Sequence, residues 1–547
     1  MAQTQMDGCA PTVSSHLRIV SLARYGLLVG ITLLAGWLRF SSINFGLPDQ
    51  FRPDEEKIVP RALDFEEDWN PHLAIYPAAQ TYLTHAVLRS YATLSGSGHD
   101  LHAAYNSNNQ AQAYLIGRYI AAAMGTATIP VIYLAGATVS GPTTGIMSAA
   151  IMAVTFLHVR DSKFVKVEVP AGFWLALSIL MMLRIPVRAR SIDYCMAGIF
   201  CGLAAATHYT SGAVAVGIFV AHLEACRRVG KPLIASLRDR RLSLAGGAAI
   251  FTFLSVNPYL FLDWAQTKSD FAALHEYYLH FGGAHGPNDY GWRWLTLRAL
   301  PASVGVELEI FLLVALVWIA IRPRPGTYAV LAFVLVCFLS LIGGHPWLLF
   351  RYLINPLVAM ALIGGIMAAD IVILTRSWIG QRLGYLSTIP LLLLLAPSVI
   401  RDVQLDKFLN QTDTRTIARI WMQDHVPQGA TVVMLGNDTY GKPQISGWYK
   451  LVSTDSIESL QDALRTATWV VADTFPPLRQ WSPDLSDGEE TTLLANGTLV
   501  FDIDPIKPDA EPPECESNDG FYVPVANITS MSRPGPRIRI WRVNTAP

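Results

Sequence analysis

The carboxylates Asp54 and Glu55 follow the first apolar stretch of the sequence directly, inside GLPDQFRPDEEKIVPRAL (46–63). Acids placed where a membrane chain leaves the lipid are costly to bury, so the pair points to a site at the bilayer surface. Two readings stay open. RPDEEK puts acids in the first turn of a helix, where they favour the helix dipole. Alternatively, one carboxylate is a general base that takes the proton from an attacking hydroxyl, with partial desolvation raising its pKa towards the working range.

Other groups fall on the same side of the membrane. Arg118, in GRYIAAAMGTATIP, opens an apolar stretch at its outer end, where it either snorkels or makes a charge-assisted contact to a phosphate. Arg351 and Tyr352, in FRYLINP, occupy an equivalent place, and Arg39 lies a little before the acids as a pairing partner for one of them. HVRDSKFVKVE contributes His158, Arg160, Asp161, Lys163, Lys166 and Glu168. A solvated loop of mixed charge is the default reading there, but Glu168 adjoins an apolar run and is a second acid, as an orienting group or a metal ligand. A divalent metal is therefore allowed but not required. His208, between two apolar stretches, reads as a packing histidine rather than a ligand, and His280 and His285 show no ligand spacing. Tyr277, Tyr278, Trp292 and Trp294 serve equally as interface anchors or as a sugar platform.

The elements that must position these groups are membrane helices. With 547 residues, 52% of them hydrophobic, and a mean hydropathy of +0.33, the chain is a polytopic membrane protein. About eleven stretches are long enough to span: 24–43, 117–138, 142–158, 168–184, 192–208, 210–225, 242–260, 299–321, 326–343, 352–374 and 384–400. With residues 1–23 cytoplasmic, alternate short loops carry Arg184, Arg188 and Arg190, then Arg227 to Arg241, then Arg322 and Arg324, then Arg376 and Arg382, as the positive-inside rule requires. An odd number of spans puts residues after 400 outside. The N-terminus lacks a cleavable-signal layout, so the first span is expected to stay as an anchor.

Residues 44–116 then form one long external loop. Tyr76 to Leu94 is read as an interfacial helix, because Gln80, Thr81, His85 and Arg89 lie within it. Residues 401–547 have the composition of a soluble extracytoplasmic α/β domain. DTRTIARIWMQDHV is helical in period, TVVML, ATWVVADTF and RIRIWRV read as strands, and IKPDAEPPECESNDG reads as a loop. Sequons at Asn410, Asn437, Asn496 and Asn527 all lie in this part. The net charge of −1 and the lack of a basic-aromatic run exclude nucleic acid as a partner. The six cysteines, Cys9, Cys195, Cys201, Cys226, Cys337 and Cys515, show neither a disulfide framework nor zinc spacing.

Taken in order, the first span, PDEEKIV, NPHLAIYP, GRYIAAAMGT, HVRDSKFVKVEVP, FRYLINP and the external α/β tail resemble a known family. They are similar to the polyprenyl-phosphate-sugar-dependent glycosyltransferases of the C-type membrane fold (GT-C). The resemblance is particularly to bacterial relatives of protein O-mannosyltransferases and of lipid A aminoarabinose transferases, over roughly residues 20 to 400. The resemblance implies that Asp54 is the external-loop aspartate proposed as catalytic base and Glu55 its acidic neighbour. It implies that Tyr76-Pro77 begins a helix lying along the membrane, that Arg118 is associated with the active site, and that Arg351 and Tyr352 lie near the donor phosphate. Glu168 stands where relatives more often carry Asp, and His208 where many carry Lys.

The resemblance implies a glycosyltransferase in the cell (inner) membrane with its C-terminal domain extracytoplasmic. It would pass a sugar from a polyprenyl-phosphate-linked donor to a hydroxyl acceptor, with inversion, on the external face. Asp54 would activate the hydroxyl, while Arg118 and Arg351 neutralise the departing phosphate. The rival reading is a transporter or flippase of lipid-linked sugars, although no internal repeat supports it; a scaffold whose external domain recruits a partner is a third.

Overall fold

The computed structural model describes residues 10–544 except 50, 52–53, 98–99, 106–108, 282–290, 343–348, 381–387, 436–439, 455, 476–483 and 516–521. Cys9, Pro53, His285, Arg382, the sequon residue Asn437 and the side chains of Arg18, Tyr278 and His280 lie outside this description.

Helix occupies most of the described part of each of the eleven predicted stretches. Six helices among the described residues are long and apolar enough to cross a membrane, from Leu22–Phe40 to Thr388–His425, and one bent pair makes a seventh. That bent pair corrects the single span predicted over 299–321: Gly291–Val304 and Val306–Ile321 meet at 116°. The break is Gly305, at φ +89°, a backbone conformation that side-chain-bearing residues disfavour. The apolar stretch 142–158 is likewise divided, between Pro142–Ala153 and Phe156–Asp161.

Small residues let these helices approach closely. A Cβ on Gly365 would collide with Ser148, and one on Gly198 with the Ala245 backbone, the close-contact pattern that drives helix association in lipid. The first helix leaves Leu27, Leu33 and Trp37 exposed. Such an unpartnered apolar face is what lipid covers.

Ala79–Leu94 is a helix that turns Gln80, Thr81, Thr84 and His85 inward. His85 Nδ1 meets the Ala62 carbonyl at 2.7 Å, which seats this helix on Glu55–Asp64. The sequence boundary at residue 401 moves: the helix Thr388–Leu409 continues through it, because Leu405, Phe408 and Leu409 extend its buried side.

Beyond it lies a five-stranded sheet, ordered β2-β1-β3-β5-β4, with β1 Thr431–Leu435, β2 Lys450–Thr454, β3 Trp469–Thr474, β4 Gly497–Ile503 and β5 Arg537–Val543. β1 runs parallel to β2 and β3, while β5 is antiparallel to β3 and β4. The three strands expected from sequence are present. β2 and β4 were not foreseen, since both are largely exposed and lack a clean apolar alternation.

The sheet domain packs on the loops nearest the candidate site. Phe45, Phe156 and Phe164 share one buried cluster with Phe408, Phe475, Tyr522 and Val523.

Candidate active site

Asp54 stands immediately before the helix Glu55–Asp64 but does not cap it, since its side chain makes no hydrogen bond to the first turn. It turns inward instead. Tyr76 donates its hydroxyl to Asp54 Oδ1 at 3.0 Å, and Arg351 Nη1 donates to Oδ2 at 2.6 Å. Lys166 Nζ lies 3.9 Å from Oδ2, and Lys57 Nζ 3.8 Å from Oδ1.

Burial alone would push the Asp54 carboxyl up, but Arg351, Lys166, Lys57 and the Tyr76 hydroxyl outweigh it and hold the group well below the usual carboxylate range. This overturns the expected upward shift: the desolvation is present, and three cations exceed it. Tyr76 moves the other way. Burial, then the Asp54 charge, raises its phenol well above the ordinary value, so it remains a donor.

Arg351 also faces Glu168, with Nε 3.2 Å from Oε1. Residues from four distant parts of the chain thus meet: Asp54, Tyr76, Lys166 with Glu168, and Arg351. Tyr352 turns to His208, whose ring stacks on it at 6.4 Å between centroids, and Thr210 Oγ1 lies 2.9 Å from His208 Nδ1.

Glu55 and Arg118 are brought together elsewhere. Arg118 Nε and Nη2 donate to the two Glu55 oxygens at 2.8 and 2.9 Å, and Nη1 donates to the Ile43 and Phe45 carbonyls, each at 2.8 Å. The Val165 amide adds a bond to Glu55 Oε1 at 3.0 Å. Both side chains are 1% exposed. This bidentate pair locks the first loop to the second span, and the Asp54 cluster forms beside it without Arg118.

Arg39 does not pair with either acid. It lies between helices, donating to the Ala153 carbonyl at 2.9 Å and meeting His158 Nδ1 at 3.0 Å. Arg160 and Asp161 are fully buried and bonded to each other, and Arg160 Nη2 reaches the Val523 carbonyl at 2.9 Å. The stretch read as a solvated loop is therefore interior. Its Lys163 anchors to Asp406 at 2.8 Å and to the Leu38 and Ser41 carbonyls.

Tyr76 and Lys166 were not singled out as site residues from sequence. The signal for Lys166 was its place two residues before Glu168, and for Tyr76 the Tyr-Pro step. Among the aromatics, Trp294 is buried, whereas Trp292 is 55% and Tyr277 37% exposed, so Trp294 serves neither as anchor nor as platform.

Among the described residues no group of three His, Cys, Asp or Glu side chains is placed to hold a metal. Asp54 and Glu168 share Arg351, with Lys166 and Lys57 beside Asp54, so both carboxylates already face cations and the arrangement does not suit a dication.

This arrangement of apolar helices followed by a C-terminal sheet domain is the C-type membrane glycosyltransferase fold. Two structures of the Archaeoglobus fulgidus oligosaccharyltransferase share it: AglB with an inhibitory peptide and dolichol-phosphate, and the apo form, each at 13% identity and TM-score 0.50, over 88% of this chain and 73% of that one. ArnT from Cupriavidus metallidurans bound to undecaprenyl phosphate aligns at 13% identity and TM-score 0.49, over 87% of this chain and 96% of its own. In sequence, the dolichyl-phosphate-mannose-protein mannosyltransferase family matches residues 83–265, a stretch that holds Lys166 and Glu168 but neither Asp54 nor Arg351. No curated protein matches the sequence.

Proposed function

We propose that the chain is an inverting glycosyltransferase of the inner membrane, taking a sugar from a polyprenyl-phosphate-sugar donor and passing it to a hydroxyl acceptor on the external face. In this reading the six long apolar helices, the bent pair and the shorter Ser191–Thr207 and Thr327–Ile342 form the membrane part, and the sheet domain is extracytoplasmic. The observation that carries the proposal is the Asp54 carboxylate held by Arg351 and Lys166, at 2.6 and 3.9 Å. Two nearly buried cations beside one base are what a departing polyprenyl phosphate, a phosphomonoester, needs.

The reaction requires two tasks. The acceptor oxygen attacks the anomeric carbon as the bond to phosphate breaks, and polyprenyl phosphate departs with the bonding electrons. Its charge is met by Arg351 and Lys166. The hydroxyl proton passes to Asp54.

Bound phosphate competes with Asp54 for the same cations, so donor binding loosens their hold and makes the carboxylate a stronger base. Tyr76 orients Asp54 throughout, and Glu168 orients Arg351. Arg118 and Glu55 act as the structural clamp beneath the site, in place of the phosphate-binding and catalytic roles expected from sequence. Arg160 and Asp161 dock the sheet domain, and His208 supports Tyr352. The test is sugar transfer from a radiolabelled polyprenyl-phosphate-sugar pool into host membranes, wild type against Asp54→Asn at equal expression. Transfer that is undiminished in the variant would remove Asp54 from the mechanism.

A further inference from the structure

The segment from Arg227 to Arg241 holds six cations and one acid, Asp239. The acid is taken up within the segment. Lys231 Nζ lies 2.7 Å and Arg241 Nη2 2.8 Å from Asp239 Oδ2, while Arg228 pairs with Glu224 at 3.0 Å. Arg227, Arg238 and Arg240 are exposed and make no ion pair among the described residues. Arg241 Nη1 also donates to the Ala189 carbonyl at 2.8 Å, which brings the exposed Arg188 and Arg190 to the same patch.

Between these charges stand aliphatic side chains. The short helix Leu233–Leu237 turns Leu233, Ile234 and Leu237 outward, at 62%, 68% and 48% exposure, next to Val229 at 70%. That direction is fixed from inside. The carbonyl of the buried Ser236 meets His222 Nε2 at 2.9 Å, and the Tyr194 hydroxyl meets the other ring nitrogen, Nδ1, at 2.8 Å. The Lys231–Asp239 bond closes the loop across eight positions. Membrane topology accounts for the number of basic residues, but not for aliphatic side chains held outward among them. At the next basic turn the cations serve the protein itself: Arg324 pairs with Asp370, and Arg322 lies over the Trp318 ring at 4.5 Å.

The patch lies far from Asp54. The helix Ser191–Thr207 runs from it to His208, whose ring stacks on Tyr352 beside Arg351. Its 17 residues put about 25 Å between the two ends, and Val214–Arg228 returns to the patch. Exposed guanidinium groups beside exposed aliphatic side chains, at the ends of membrane helices, match the surface of an anionic bilayer. Headgroup phosphates meet the cations, and the acyl boundary receives Leu233, Ile234 and Leu237. An acidic protein or a nucleic acid would match the charges and leave the aliphatic side chains in water.

We infer that residues 227–241 form a binding site for anionic phospholipid, in the leaflet opposite the Asp54 site and cytoplasmic in the proposed orientation. The inference rests on the membrane fold and is independent of sugar transfer.

The test uses the full chain purified in detergent, as wild type, Ile234→Ser and the triple variant Arg227→Gln, Arg238→Gln, Arg240→Gln. Arg465→Gln, which removes a 79% exposed cation from the sheet domain, is the charge control. Binding is measured to labelled phosphatidylglycerol, phosphatidylcholine and undecaprenyl phosphate. Phosphatidylglycerol should bind the wild type more tightly than phosphatidylcholine, and added salt should weaken it. The triple variant should lose about 10²-fold in phosphatidylglycerol affinity, as three cations at a charged surface are worth, with undecaprenyl phosphate binding and unfolding temperature unchanged. Ile234→Ser should cost about tenfold in phosphatidylglycerol affinity, and Arg465→Gln nothing.

Equal affinity of the wild type for the two phospholipids would overturn the site, as would unchanged phosphatidylglycerol binding in the triple variant or in Ile234→Ser. A triple variant that changed its oligomeric mass but not its lipid binding would give this face to a second copy of the chain and overturn the site too. Loss of undecaprenyl phosphate with phosphatidylglycerol retained would move the proposed donor site here, against both readings. Arginine-dependent phosphatidylglycerol binding in a chain that transfers no sugar would support the site and leave the transferase reading to fail alone.

Discussion

Arg351 donates from Nη1 to Asp54 Oδ2 at 2.6 Å, across 297 positions of sequence. The same guanidinium faces Glu168 through Nε. A planar fork serves two acids at once in a way that an ammonium cannot. Arg351→Lys should therefore raise the donor KM about 10- to 100-fold, the worth of one charge-assisted hydrogen bond. Steady-state kinetics with varied donor checks this; an unchanged donor KM would place the phosphate elsewhere.

Asp54→Asn removes the base while leaving Arg351 and Lys166 in place. Transfer should fall by about 10²- to 10⁴-fold. Undecaprenyl phosphate should bind at least as tightly as to the wild type, because the cations lose a competitor. Loss of both activity and lipid binding would mean that Asp54 holds the site together rather than reacting.

The membrane fold was legible because spanning helices impose a long apolar signature, and helix occupies most of the described part of each of the eleven stretches. The break at Gly305 was not, since a glycine within an apolar run reads equally as packing or hinge, and only its φ of +89° decides. Asp54 was identifiable from its place after the first span. The partition of the cations was not: Arg118 and Arg351 both sit at outer helix ends in the sequence, and only tertiary contacts give the first to Glu55 and the second to Asp54. HVRDSKFVKVE looked solvated by composition. It is interior because His158, Arg160, Lys163 and Lys166 each meet a partner from a distant segment.

The lowered pKa of Asp54 also bears on stability. A carboxyl held below its unfolded value stabilises the fold fully above that value, 3.8, and loses the contribution as pH falls below it. Thermal unfolding of wild type and Asp54→Asn should differ most at neutral pH and converge below pH 3.8. A gap that widened in acid would contradict the ion-paired state.

Arg118 and Glu55 form a buried pair, each 1% exposed. Removing one partner strands the other charge, at a cost of about 3–5 kcal/mol. Arg118→Ala should therefore lower the unfolding temperature sharply, with any fall in transfer following the folded fraction. If the variant kept its stability and lost only donor affinity, Arg118 would be a phosphate ligand after all.

The sheet domain grips the segment that carries Asp54, and in the proposed reaction that grip positions the base. Thr416 Oγ1 donates to Asp49 Oδ2 at 2.6 Å, Arg419 Nε lies 3.1 Å from Asp49 Oδ1, and Tyr440 bonds Glu56. Asp49 and Glu56 flank Asp54 closely in the chain, so releasing them shifts the base relative to Arg351. Arg419→Ala should lower kcat about 10- to 100-fold, as misplacement of a reacting group by an ångström does, while undecaprenyl phosphate binding holds. The exchange Asp49→Arg with Arg419→Asp restores the contact with its charges reversed and should recover part of the lost rate. Recovery would show that the contact itself positions the base, whereas a kcat that ignores both changes would leave the sheet domain without a part in catalysis.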